Sequence, residues 1–343
     1  MITEQVPQPP QAPRQALVRA PKQPLLARLD RRTIVQRSAT AAVFFLVCVF
    51  FSATTSSFLT GSNIFDVSRQ VAIVGPLAVG ETFVILTGGI DLSVAQLAVL
   101  CGMFAANMQS LNNGFMPSLV VPLLVGAGLG LLQGGIVTAL RVPAFIVTLG
   151  GFEAFHGLAL LINNGLYISA PDGASFADNF SAIGQGKVGP FPAPLLIFLA
   201  LVVVTYVVLR NTRFGRYIYA IGGNAEAARL SGLRVRTVTT AAYVISGLCA
   251  GLTGIVYTAR FGVGDPTALP SGELIAIAAV VIGGTSLFGG SGGIIGTLLG
   301  AALLGVITNG LLLQQVSPNI QPVVVGVLIV VAVLIDGLLK RRR

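Results

Sequence analysis

From residue 40 onward the chain alternates long apolar runs with short polar interruptions. Ten runs come near the roughly 20 residues needed to cross the hydrocarbon of a bilayer: 40–59, 71–89, 92–111, 116–140, 142–163, 190–209, 237–258, 273–288, 292–314 and 321–338. The pattern predicts an all-α polytopic membrane protein of about ten transmembrane helices, with residues 39–343 forming the membrane domain. Glycines recur at helical spacing inside several runs: 126, 130 and 134; 247 and 251; 292, 296 and 300. That spacing puts them on one helix face, where backbones approach closely. It speaks for compact packing rather than chemistry.

Two polar interruptions are much longer than the rest. The first, 163–189, carries Asp172 and Asp178 among several Gly and Ser residues. A loop of that length fits either a docking face or a flexible connection. The second, 210–236, divides the sixth run from the seventh and holds six arginines (210, 213, 216, 229, 234 and 236) against one acid, Glu226. Good helix formers from Ala225 to Leu230 follow Gly222, Gly223 and Asn224. A short exposed helix entered through a flexible turn is expected there.

Composition sharpens the membrane reading. Charged residues make up 10% of the chain, against roughly 25% in an ordinary soluble domain. The net charge of +9 does not point to nucleic acid, because the basic residues sit in tails and loops beside apolar runs, where the positive-inside rule accounts for them. With the N-terminus inside, ten spans put 18 of the 21 basic residues in the cytoplasm and leave Arg69, Lys187 and Arg260 outside. Both termini are then cytoplasmic. Residues 1–38, with six Pro and seven basic residues, read as a disordered tail that fixes topology, contact with anionic headgroups being the rival reading. The run at 40–59 is too long for a secretory signal and lacks a cleavage site. Cys48, Cys101 and Cys249 are far apart in apolar runs and read as buried hydrophobes.

Candidate chemistry is sparse. Two glycine-rich breaks stand out. In the first, Gly88, Gly89, Ile90, Asp91, Leu92 and Ser93, the glycines suit a helix C-terminus and Asp91 or Ser93 an N-cap. The second runs from Gly283, Gly284, Thr285 and Ser286 to Gly293, after a run too short to cross a bilayer unbroken. Paired breaks in two halves of a chain fit a transport path or gate at membrane depth. Two tight cytoplasmic turns fit them equally. Ionisable residues in or beside runs are Glu81, Asp91, Glu153 and His156, the only histidine. Glu153 and His156, three apart, would share a helix face as a proton relay or metal half-site, or form a plain structural hydrogen bond. There is no HExxH and no complete P-loop, and no catalytic site, metal site or nucleotide site is expected on this chain.

Beyond about residue 60 the chain resembles the permease subunits of bacterial ABC importers of the ribose and related monosaccharide type. The stretches that carry the likeness are ETFVILTGGIDLSVAQLAVL (81–100), VPAFIVTLG (142–150), NTRFGRYIYAIGGNAEAARLSGLRV (211–235) and AIAAVVIGGTSLFGGSGGIIGTLLGA (276–301), followed by GVITNGLLL and VSP. The branched-chain amino-acid permeases are relatives; FGRYIYAIGGN has the tyrosines and paired glycines of the sugar branch. The resemblance implies an inverted-repeat permease in the bacterial inner membrane, a second permease copy, identical or paralogous, and a periplasmic sugar-binding protein. It also implies a cytoplasmic ATPase subunit that carries the ATP and Mg. The 210–236 loop would be the ATPase-coupling element, with Gly222, Gly223, Asn224, Glu226, Arg229, Ser231 and Gly232 as contacts. Glu at Arg229, or a β-branched residue at Gly223, is expected to uncouple transport. The chain departs from the family pattern at Ile275, usually Asp, and at Ala95, usually Gly. A proton-coupled secondary transporter using Glu81, Asp91, Glu153 or His156 is the rival, and a membrane scaffold that moves nothing is a weaker one.

Overall fold

The computed structural model describes residues 31–170 and 176–320, with helical positions 322–324, 326–327 and 330 beyond them. The helices are α1 (Arg31–Thr54), α2 (Gly61–Leu86), α3 (Val94–Ser110), α4 (Phe115–Ala139), α5 (Ala144–Ile162), α6 (Asp178–Gln185), α7 (Ala193–Asn211), α8 (Arg213–Gly223), α9 (Ala225–Leu230), α10 (Val235–Phe261), α11 (Gly272–Ile282) and α12 (Ile294–Leu313). Six of these are long and apolar enough to cross a membrane: α2, α4, α5, α7, α10 and α12. The stretch Thr40–Thr54 within α1, together with α3 and α11, gives three shorter apolar helices. Most of the tenth expected run, 321–338, lies outside the described residues, as does the tail up to residue 30. Helix α1 already begins at Arg31, ahead of the boundary expected at residue 39.

The centre of the bundle is α10, packed against α2, α3 and α4. Glycines make this contact close. A Cβ on Gly126 of α4 would collide with the Gly247 carbonyl of α10, and one on Gly130 with the Tyr243 carbonyl. The expected glycine faces therefore meet each other across one interface. A second small-residue contact joins α11 to α12, where Gly283 and Gly296 lie backbone to backbone. Extra methyl groups in such contacts cost about 1–3 kcal/mol each. By contrast, α4, α5 and α7 turn large apolar side chains outward, among them Leu124, Leu131, Phe145, Leu161 and Val203. That is the surface a bilayer covers.

Of the 163–189 stretch, the described residues 163–170 and 176–189 are folded against the bundle. Two two-stranded antiparallel pairs, β1 (Ile168–Ser169) with β4 (Val263–Gly264) and β2 (Lys187–Val188) with β3 (Phe191–Pro192), flank α6. Among the described residues these short ladders depart from the all-helical expectation. Phe176 and Phe180 are buried beneath the cap, and Gln185 Nε2 donates to the carbonyls of Ala259 and Arg260. The guanidinium of Arg69 donates to the Gln185 carbonyl. Arg69, Lys187 and Arg260, the three basic residues that the topology count leaves outside, thus gather at the α6 end. The α8–α9 segment lies at the other end.

Candidate functional site

The two glycine breaks end their helices in the same way. At the first, Gly88 takes φ 86°, Gly88 N donates to Ile85 O at 2.9 Å and Gly89 N to Val84 O at 3.2 Å. At the second, Gly284 takes φ 86°, Gly284 N donates to Val281 O at 2.9 Å and Thr285 N to Val280 O at 3.1 Å. Each is a Schellman cap, whose left-handed residue glycine adopts without steric penalty.

Beyond their caps the two breaks diverge. After the first, side chains hold the backbone. Asp91 is 1% exposed, and its Oδ1 accepts from Ser93 N at 3.0 Å and Ser93 Oγ at 2.6 Å. Its Oδ2 accepts from Ser246 Oγ of α10 at 2.9 Å. Gln133 Nε2 of α4 donates to Ser93 Oγ at 2.8 Å, and Glu81 Oε1 of α2 accepts from Asp91 N at 3.1 Å. Thr148 of α5 donates to the Ile90 carbonyl at 3.1 Å. One short break is therefore tied to four helices. Of the two expected N-cap residues, Asp91 takes a backbone N–H at the helix start, that of Ser93, whereas Ser93 occupies the cap position of α3 without a side-chain cap bond. Its hydroxyl is engaged by Asp91 and Gln133 instead.

After the second cap the backbone turns on itself through glycine. Ser286 N donates to Ser291 O at 3.0 Å, Gly289 N to Ser286 O at 3.0 Å, and Gly293 N to Thr285 Oγ1 at 3.2 Å. Gly289, Gly290, Gly292 and Gly293 all have positive φ, up to 152°. Thr285 and Ser286 are buried under this turn.

The 210–236 stretch holds two helices rather than one. In α8, Phe214, Gly215, Ile218 and Ile221 face inward while Arg213, Arg216 and Ala220 face out, and Phe214 stacks on Phe83 of α2 at 6.4 Å between centroids. The spacing of those apolar residues was the available signal for α8. Gly222 and Gly223 form its last turn, so the flexible turn expected before α9 is replaced by helix. The one-residue joint is Asn224, whose Oδ1 caps α9 by accepting from Ala227 N at 2.9 Å. Helix α9 ends in a third Schellman cap at Gly232, φ 81°, with Gly232 N on Arg229 O and Leu233 N on Ala228 O. Ser231 Oγ donates to Ala227 O. Glu226 and Arg229 form a bidentate pair on the exposed side, at 3.0 Å and 2.5 Å. That hydrogen bond from the guanidinium holds the Glu226 carboxyl below its usual range. Leu230 beside them is 76% exposed. Sequence reasoning passed over this residue, although an apolar side chain in a basic loop was a visible signal.

The three regions meet. Gly290 N of the second break donates to Leu86 O at the end of α2, at 3.1 Å. The Cα of Gly222 faces both: a Cβ there would collide with Leu86 O and Gly290 N. A Cβ on Gly289 would stand 2.9 Å from Gly88 N and 3.1 Å from the Gly222 Cα. A Cβ on Gly223, by contrast, would meet nothing within 4 Å. Both breaks and the loop thus join at one end of the bundle, backbone against backbone. Across residues 63–333 the chain matches the family described as branched-chain amino acid transport system / permease component.

The chain belongs to that permease family. It is 39% identical over 319 residues to the ribose import permease protein RbsC of Haemophilus influenzae, covering 92% of this chain and 97% of the relative. To RbsC of Escherichia coli K12 it is 40% identical, covering 89% and 94%, and to the D-allose transport system permease protein AlsC of the same organism 36%, covering 86% and 90%. No solved structure matches this permease.

Of the remaining candidates, Glu81 and Asp91 come together in the permease core, while Glu153 and His156 do not join them. Glu153 is exposed on α5, and no ion pair or hydrogen bond links it to His156 among the described residues. No group of three His, Cys, Asp or Glu residues capable of holding a metal occurs among the described residues. The departure at Ala95 has a packing account: its methyl group faces Gly272 of α11, where a Cβ would stand 3.0 Å away. Ile275, the other departure, is partly buried against the main core.

Proposed function

We propose that this chain is the membrane-spanning subunit of an ATP-driven importer that passes a ribose-like monosaccharide into the cell. The near full-length likeness to permeases named for ribose and allose supports the solute class. The observation that carries the coupling part of the reading is the seating of the α8 end on both glycine breaks. In this reading ten helices span the bacterial inner membrane with both termini in the cytoplasm. The α8–α9 end faces a cytoplasmic ATPase subunit, and the folded cap around α6 faces the compartment from which a binding protein delivers the sugar. A second permease copy completes the path. Asn224, Glu226, Arg229, Ser231 and Gly232 are the residues exposed to an ATPase, with Leu230 as an apolar anchor. No covalent chemistry is assigned to this chain; hydrolysis on the partner shifts the helices between two packings.

The pathway role of Gly88, Gly89, Asp91, Ser93, Gly283, Gly284, Thr285 and Ser286 takes a specific form. These residues form the joint on which the helices bordering the path pivot. Reconstitution of the permease in proteoliposomes with an ATPase subunit and a binding protein tests the whole reading. Uptake of radiolabelled D-ribose, or of D-allose or D-xylose, is expected only with ATP and both partners. Uptake without an ATPase subunit that a protonophore abolishes would replace this reading with proton coupling.

A further inference from the structure

We infer that Tyr219 is a positioning residue for transport: its hydroxyl clamps the end of α8 to the second glycine break, so that α8 carries α2 and that break together as one unit. The inference rests on the coupling role proposed above and adds the contact through which motion passes. Tyr219 Oη donates to the Gly292 carbonyl at 3.0 Å. One turn further along α8, Gly222 lies against Leu86 O and Gly290 N, the two groups that already share a hydrogen bond. The helix thus has two points of attachment to the break, one polar and one steric, and a third to α2 through Phe214 on Phe83.

The physical consequence comes from the absence of side chains at the steric point. Flexible side chains between two elements absorb displacements by changing rotamer, whereas backbone packed on backbone does not. Gly290, Gly289, Gly88 and Gly222 interpose no Cβ, so a shift of the α8 end is passed on directly. Contact alone transmits only a push. A hydrogen bond from Tyr219 lets the helix also pull the break when the loop moves the other way, which a cycling importer requires. The break being pulled carries its own left-handed residues, Gly289, Gly290 and Gly292, so its shape is set by backbone geometry and moves as a piece.

Tyr219→Phe removes the hydroxyl and leaves the ring. In proteoliposomes holding the permease, its ATPase and its binding protein, radiolabelled D-ribose taken up per ATP hydrolysed is expected to fall about fivefold, as for the loss of one ordinary hydrogen bond. ATP hydrolysis and membrane yield are expected to stay near the unaltered values. Gly222→Ala is expected to lower the same ratio further, and Gly128→Ala, where a Cβ meets nothing within 4 Å, serves as the control. An unchanged ratio in Tyr219→Phe overturns the inference, whether or not Gly222→Ala inserts. Failure of the unaltered complex to couple ATP to uptake would instead strike at the proposed function.

Discussion

The two glycine breaks share a cap and differ in everything after it. Behind Gly88 the chain is held by a buried carboxylate with three donors around it; behind Gly284 it is held by glycines folded on themselves. A break fixed by side chains belongs to the surrounding helices and moves with them, here α2, α4, α5 and α10. The other is bonded through its own backbone, Ser286 N to Ser291 O and Gly289 N to Ser286 O. In the proposed coupling the first is the anchor in the core, and the second the piece that the α8 end displaces.

Substitutions can break or sharpen this contrast. The largest effect is expected from Asp91→Ala, which strands the buried donors of Ser93 and Ser246; a loss of about 3 kcal/mol or more should appear as early melting in detergent and poor membrane yield. Next comes Gly292→Ala, where φ of 131° and the side chain of Thr285 both resist a Cβ. Its cost is about 1–3 kcal/mol, and its distinguishing mark is lost uptake at a membrane yield nearer normal than that of Asp91→Ala. Ser246→Ala removes one donor from Asp91 and should cost about 1–2 kcal/mol in the same melting assay. Arg229→Glu breaks an exposed, solvent-screened pair, so melting is expected to stay near that of the unaltered protein, while ATP-driven uptake falls. The smallest effect belongs to Gly223→Ala, whose Cβ enters open space: uptake per ATP should exceed that of Gly222→Ala several-fold. If Gly223→Ala is instead the more damaging, the contact between α8 and the breaks has been assigned to the wrong glycine.

The Gly222 and Gly223 comparison shows where sequence reasoning stops. Both are helical glycines in the same dipeptide, and the sequence marked them alike, with Gly223 favoured for a disruptive substitution. Only the packing reveals that one faces two carbonyl and amide groups and the other faces solvent. Asp91 and Ser93 tell the same story, since their types and spacing fit an N-cap. Asp91 does take the Ser93 N–H, but the side chains that also bind the two, Gln133 on Ser93 and Ser246 on Asp91, are 40 and 155 positions away in the chain. Glu153 and His156, three residues apart, share neither a hydrogen bond nor an ion pair, because helical spacing does not fix which side faces the core.

The sequence alone determined the membrane character, most helix positions, the glycine caps, the short helix α9 and the family likeness. Each is local or nearly so: a run length, a left-handed residue after a helix, a motif read in order. It also separated the basic residues into two groups, whose members gather at opposite ends of the bundle among the described residues. Tertiary structure alone decided that the two breaks and the α8 end meet at one junction, and that residues 163–170 and 176–189 form a folded cap. It also decided that Tyr219 reaches Gly292 across 73 residues. Those contacts join backbones and hydroxyls distant in the chain, and glycine, which makes the closest of them, carries no side chain to announce its neighbour.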